Sequence, residues 1–126
     1  MKTETMIGVA DVEKSSAWYQ HLLGCSSNHG GSEFDRIVNA EGEVVILLHK
    51  LGLDDHPSMA ADEAGQVGRG VEIYFRTADL ESVYQRAREA DAQMEIDLGF
   101  NPLAHQDEFK LRDPDGYFIT ICGPAR

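Results

Sequence analysis

The groups that could carry chemistry in this chain are few and scattered. Its two thiols, Cys25 and Cys122, form no CxxC pair and have no metal-type spacing. Cys25 follows a glycine at a helix end and Cys122 lies in the last apolar strand. Both are expected to be small buried thiols in a reducing compartment, because a catalytic thiol wants a neighbouring base. His21, His29, His56 and His105 fall on helix or loop positions, where solvent is the natural partner. His105, in the 99–107 loop, is also placed to close over a ligand. No G-x-S-x-G, H-E-x-x-H or phosphate-binding glycine loop occurs. Asp113-Pro114-Asp115-Gly116 lacks the ligand loop of a calcium site, so it is expected to be a turn, with proline presetting one angle and glycine permitting the reversed one.

Charge narrows the partner classes. Eleven Lys and Arg stand against 22 Asp and Glu, a formal charge of −11 over 126 residues. A field of that sign repels phosphate backbones, and no basic stripe offsets it, so nucleic acid and anionic membrane are not expected as partners. Acidity favours solubility and would steer in a cationic ligand. No apolar run approaches the roughly 20 residues needed to span a bilayer. Met1-Lys2-Thr3-Glu4-Thr5 carries no signal-peptide core, so a cytoplasmic location is expected.

The elements that must position any site come in two copies. Ala10-Asp11-Val12-Glu13 recurs as Ala78-Asp79-Leu80-Glu81, an offset of 79 − 11 = 68 residues. Each phrase follows a β-branched or aromatic run and opens an amphipathic stretch. In the first copy, Glu4–Val9 is expected to be a strand, and Asp11 caps a helix whose apolar stripe is Ser15, Trp18, Tyr19 and Leu22. Gly24 ends that helix. Phe34–Asn39 and Glu43–His49 form a hairpin through Ala40-Glu41-Gly42. Residues 51–69 form a connector with one helical turn near Met59–Ala64. In the second copy, Val71–Arg76 is a strand, Asp79 caps a helix bearing Leu80, Val83, Tyr84 and Ala87, and Met94–Asp97 is a short strand. A loop at Gly99–His105 and a closing hairpin of Glu108–Leu111 with Tyr117–Cys122 follow. Each half is strand, helix, then two or three strands, which means an α+β class.

In that order the motifs resemble a known family. Val9-Ala10-Asp11-Val12-Glu13-Lys14-Ser15 leading to Trp18-Tyr19 and Leu23-Gly24, then Gly70-Val71-Glu72-Ile73-Tyr74-Phe75 with Asp79, then Phe109 to Tyr117, together resemble the vicinal oxygen chelate superfamily. That group includes glyoxalase I, extradiol dioxygenases, and fosfomycin- and bleomycin-resistance proteins. The resemblance implies a single domain over residues 1–126, built as module one (1–50), a linker (51–69) and module two (70–126). It implies two tandem βαβββ modules, a curled mixed sheet around a cleft and helices outside. It also implies homodimers, since members commonly pair modules across chains.

The resemblance further implies where a metal would be held. Metal-dependent members use the first and last strands of each module, and the corresponding positions here are Glu4, Leu47, Glu72 and Thr120. A leucine cannot coordinate and a threonine hydroxyl is a poor ligand for Zn, Ni, Fe or Mn. His49, two residues past Leu47 on the same strand face, would complete a Glu4, His49, Glu72 set after a shift in register. The rival reading is a histidine that hydrogen-bonds near its strand end. If Glu72 faces the cleft, so do Tyr74 and Arg76; if Thr120 does, so do Phe118 and Cys122; if Leu47 does, so do Val45 and His49. Tyr74 and Phe118 would then stack on a planar ligand, or simply be core. Glu4 and Glu72 would meet a cation, share a proton, or be solvated or paired with Arg69 or Arg76.

The expected function is therefore binding of a small cationic or aromatic molecule without a cofactor, for sequestration, resistance or sensing. The alternative is a divalent-metal-dependent lyase, isomerase or dioxygenase using Glu4, His49 and Glu72, with the metal polarising an oxygen and a carboxylate moving a proton. A third class is an interaction module.

Overall fold

A computed structural model describes residues 1–53, 57–59 and 67–126. The chain divides into two compact units, Met1–Gly65 and Gln66–Arg126. Each is a helix against a four-stranded mixed sheet, so the class is α+β with a repeated module.

The first unit runs β1 (Met6–Val9), α1 (Val12–Leu23), β2 (Ser26–Ser27), β3 (Phe34–Val38) and β4 (Val44–Lys50), with sheet order β1-β4-β3-β2. Asp11 caps α1 by accepting from the Lys14 amide at 3.0 Å, and Gly24 closes it at φ 65°. Tyr19 is fully buried and Leu22 nearly so, above a core that includes Val9, Ile37, Ile46 and Leu48. Trp18 is only half-buried, set edge-on to Tyr19 at 4.8 Å, so the two aromatics do not share one packing role.

Three details differ from expectation. β1 begins at Met6, not Glu4, although the Leu47 amide still reaches the Thr5 carbonyl at 2.9 Å. Glu4 lies outside the ladder and is exposed. The connector's described helical turn is a 3-10 turn at Pro57–Met59, while residues 60–64 of the expected one lie outside the described residues, as does His56. Cys25 is half-buried, its thiol near the Leu23 carbonyl, and only Cys122 is fully enclosed.

A buried carboxylate ties this unit together. Asp35 on β3 is 2% exposed. It accepts from the hydroxyls of Ser16 and Ser27 at 2.6 Å each, from the Gly30 amide at 2.7 Å and from the Arg36 amide at 2.8 Å. Burial works against the charge, but these four donors outweigh it and hold the carboxyl below its ordinary pKa. Helix, β2, the 28–33 turn and β3 thus converge on one side chain.

The second unit runs β5 (Glu72–Arg76), α2 (Leu80–Glu89), β6 (Gln93–Asn101), β7 (Gln106–Arg112) and β8 (Phe118–Cys122), ordered β5-β8-β7-β6. The sequence repeat is matched by the ladders: Met6 pairs with Leu47 in one parallel pair and Tyr74 with Thr120 in the other, and 74 − 6 = 68. Asp79 caps α2 by accepting from the Ser82 amide. Tyr84 of α2 sets its ring on Phe109 at 5.3 Å, and Phe109, Leu111, Ile119 and Ile121 are wholly buried. β6 extends through Gly99 to Asn101 instead of stopping at Asp97. The register shifts between Ile96 and Gly99, so the glycine marks a bulge inside a long strand, not the start of a loop. No described helix is long and apolar enough to cross a membrane.

Candidate functional site

Strand alternation builds one face of the second sheet. On β5, Ile73 and Phe75 are buried while Glu72, Tyr74 and Arg76 turn to the other side. The ladders place Phe118 and Arg112 beside Glu72, Thr120 and Lys110 beside Tyr74, and Cys122 and Glu108 beside Arg76. The expected partners Glu72, Tyr74, Arg76, Phe118, Thr120 and Cys122 therefore do share one face.

What binds Glu72 was not foreseen. The Lys110 ammonium donates to Glu72 Oε1 at 2.5 Å and to Thr120 Oγ1 at 2.8 Å, and lies 3.5 Å from Glu108 Oε1. Thr120 in turn donates its hydroxyl proton to Glu72 Oε1. Lys110 Nζ lies 5.1 Å from the Tyr74 ring centre and 5.9 Å from that of Phe118. The pairing of Glu72 with Arg69 or Arg76 is thus corrected. Arg76 donates to the Gly123 carbonyl at 2.5 Å and to Gln106 Oε1 at 2.8 Å. Gln106 and Asn101 amides donate to Glu108 at 2.7 and 2.8 Å. One connected chain of polar groups therefore runs from Gly123 through Arg76, Gln106, Glu108 and Lys110 to Glu72 and Thr120.

The electrostatics are self-consistent. For Glu72, burial disfavours charge, but Lys110 and then Thr120 hold its pKa below the ordinary value. For Glu108, burial is likewise outweighed by Gln106, Asn101 and Lys110. For Lys110, burial would lower the pKa, but Glu72 and Glu108 raise it overall, so the ammonium stays charged. Burial pushes the Cys122 thiol upward, with Arg76 only partly opposing, and its Sγ points to the Phe75 carbonyl. That is the setting of an inert thiol.

Beside this network lies an open recess of about 800 Å³, lined among others by Arg69, Gly70, Glu72, Arg112, Asp115 and Phe118. Arg112 is pinned there: it donates to Glu95 at 3.2 Å and to the Gly116 carbonyl at 2.9 Å, and its guanidinium lies 4.6 Å from the Phe118 ring centre.

The remaining candidates belong to the first unit. Glu4 is exposed outside β1. Leu47 sits half-buried in β4, paired with Met6 and Arg36. His49 is two residues on, paired with Gly8 and Phe34 and 5% exposed. Its Nδ1 is 2.8 Å from the Lys50 carbonyl, which can only accept, so Nδ1 carries the proton. Among the described residues no three His, Cys, Asp or Glu side chains are gathered as a metal site. His21, His29 and His105 are exposed.

Sequence reading missed Lys110, Glu108, Gln106 and Arg112, although the signal was present. A turn at Asp113–Gly116 closing two strands puts Lys110 opposite Thr120 by count, and alternation then carries Glu108 and Arg112 to the same face.

The fold recurs in solved structures of low identity. A protein of unknown function from Agrobacterium tumefaciens aligns with TM-score 0.78 and 22% identity, over 98% of this chain and 94% of that one. A glyoxalase-related enzyme from Fulvimarina pelagi gives 0.77 and 16%, over 98% and 88%. A glyoxalase/bleomycin resistance protein/dioxygenase from Nocardioides gives 0.74 and 17%, over 100% and 84%. No curated protein matches the sequence significantly. The family model for this group matches residues 3–121, and the chain belongs to the glyoxalase/bleomycin resistance protein/dioxygenase superfamily.

Proposed function

We propose that this protein binds a small aromatic molecule on the Tyr74–Phe118 face without a resident metal, as a sequestering or sensing member of its superfamily. The observation that carries this is Lys110. Two of the four positions that metal-using relatives employ are Glu72 and Thr120, and here both are engaged by an ammonium. A divalent ion at about 4 Å from that charge would meet a repulsion of about 8 kcal/mol at an effective dielectric of about 20. Leu47 supplies no donor in the first unit. The residues present therefore suit an internal cation better than a divalent one. Tyr74, half-exposed, offers its ring to a ligand. A homodimer is the assembly suggested by the superfamily habit.

The test is metal uptake. Purified protein dialysed against Zn, Ni, Fe and Mn salts, then freed of excess, should hold far less than one ion per chain. One stoichiometric ion that is lost in Glu72→Ala would overturn the reading and restore the metal-dependent enzyme.

A further inference from the structure

We propose that the recess beside β5 and β8 selects an aromatic zwitterion: a planar ring carrying both a carboxylate and an ammonium. The inference rests on the reading above and names the ligand class of that site. Its first support is charge balance. The protein carries −11, yet the recess is lined by two cations, Arg69 and Arg112, and two anions, Glu72 and Asp115. A uniformly charged ligand would find no net field there, whereas a ligand with both signs finds a complementary group for each.

The second support is which of those charges is uncommitted. Arg112 is held by Glu95, Gly116 and the Phe118 ring. Asp115 has interactions of its own. Arg69 makes no hydrogen bond or ion pair among the described residues, so its guanidinium is open to a carboxylate. Among the described residues Glu72 is engaged through Oε1, which takes both Lys110 and Thr120, and Oε2 is left to accept from a ligand ammonium. The third support is an aromatic platform in the same lining. Arg112 stacked on Phe118 is a fixed, flat surface on which a ring gains both packing and cation–π attraction. At about 800 Å³ the recess has room for a small ring system with two substituents.

Three probes sharing one ring test this by isothermal titration calorimetry: L-tryptophan, tryptamine, which lacks the carboxylate, and indole-3-propionate, which lacks the amine. Tryptophan should bind at least about tenfold more tightly than either, the worth of one charge-assisted contact. Arg69→Gln, an exposed change that leaves the fold intact, should drop tryptophan to the level of tryptamine and leave tryptamine unmoved. Glu72→Gln should drop tryptophan to the level of indole-3-propionate. Equal binding of all three overturns the zwitterion while leaving aromatic capture standing. Binding by none overturns it too, and the metal-uptake measurement then decides the fate of the proposed function separately.

Discussion

Replacing Asp35 by alanine should unfold the first unit's stability more than any surface change in the chain. The carboxylate is 2% exposed and accepts four hydrogen bonds between 2.6 and 2.8 Å. A hydrogen bond to a charged acceptor is worth about 1.5–3 kcal/mol, but the four do not simply add. Ser27 and the 28–33 turn are partly open and recover water after truncation, while Ser16 is 5% exposed and recovers little. The expected loss is therefore about 3–5 kcal/mol, the net of partly recovered bonds to a charged acceptor. That is a large part of the about 5–15 kcal/mol that holds a typical domain folded. Trp18, the only tryptophan, lies on α1 and reports urea unfolding by fluorescence. The pH dependence supplies a second check. The folded carboxyl is lowered, so its contribution is present above the unfolded value of about 3.9 and is lost as pH falls through the folded one. The gap between wild type and Asp35→Ala should be full at neutral pH and narrow steadily in acid. A gap below about 1 kcal/mol at neutral pH, or one of constant size down to about pH 2.5, would refute the reasoning.

Two further outcomes are expected. Lys110→Met leaves Glu108, 5% exposed, without its ammonium and should cost about 3–5 kcal/mol in chemical denaturation; because the orphaned carboxyl prefers its proton, the deficit should shrink as pH falls, and a deficit that grows in acid would contradict the network. Gly68→Ala places a Cβ 2.6 Å from Tyr117 Cδ1 at φ +69°, whereas Gly70→Ala at φ +77° meets nothing within 4 Å; thermal melts should show the first costing about 1–3 kcal/mol more than the second, the overpacking term alone.

Much of this protein is written locally. The Asp11 and Asp79 caps, the Gly24 stop and the 68-residue repeat are short-range features, and they emerge in the helices and ladders where the chain order puts them. Alternation likewise delivers Glu72, Tyr74, Phe118 and Thr120 to one face, since a strand's period of two leaves no other choice once one residue is placed. Strand ends were less legible: Gly99 breaks pattern in the sequence but only bulges in the ladder, because neighbouring strands supply the hydrogen bonds that keep β6 running.

The identity of Glu72's partner is a different matter. Arg69 and Arg76 are nearer along the chain, yet Lys110, 38 residues away, takes the carboxylate because β8 and β7 stack beside β5. The same holds for Asp35, whose four donors come from a helix, a two-residue strand, a turn and its own strand. Backbone elements follow from neighbours a few residues apart, where propensity and capping act. Which charges meet depends on strand order across the sheet, and only the assembled fold sets that order.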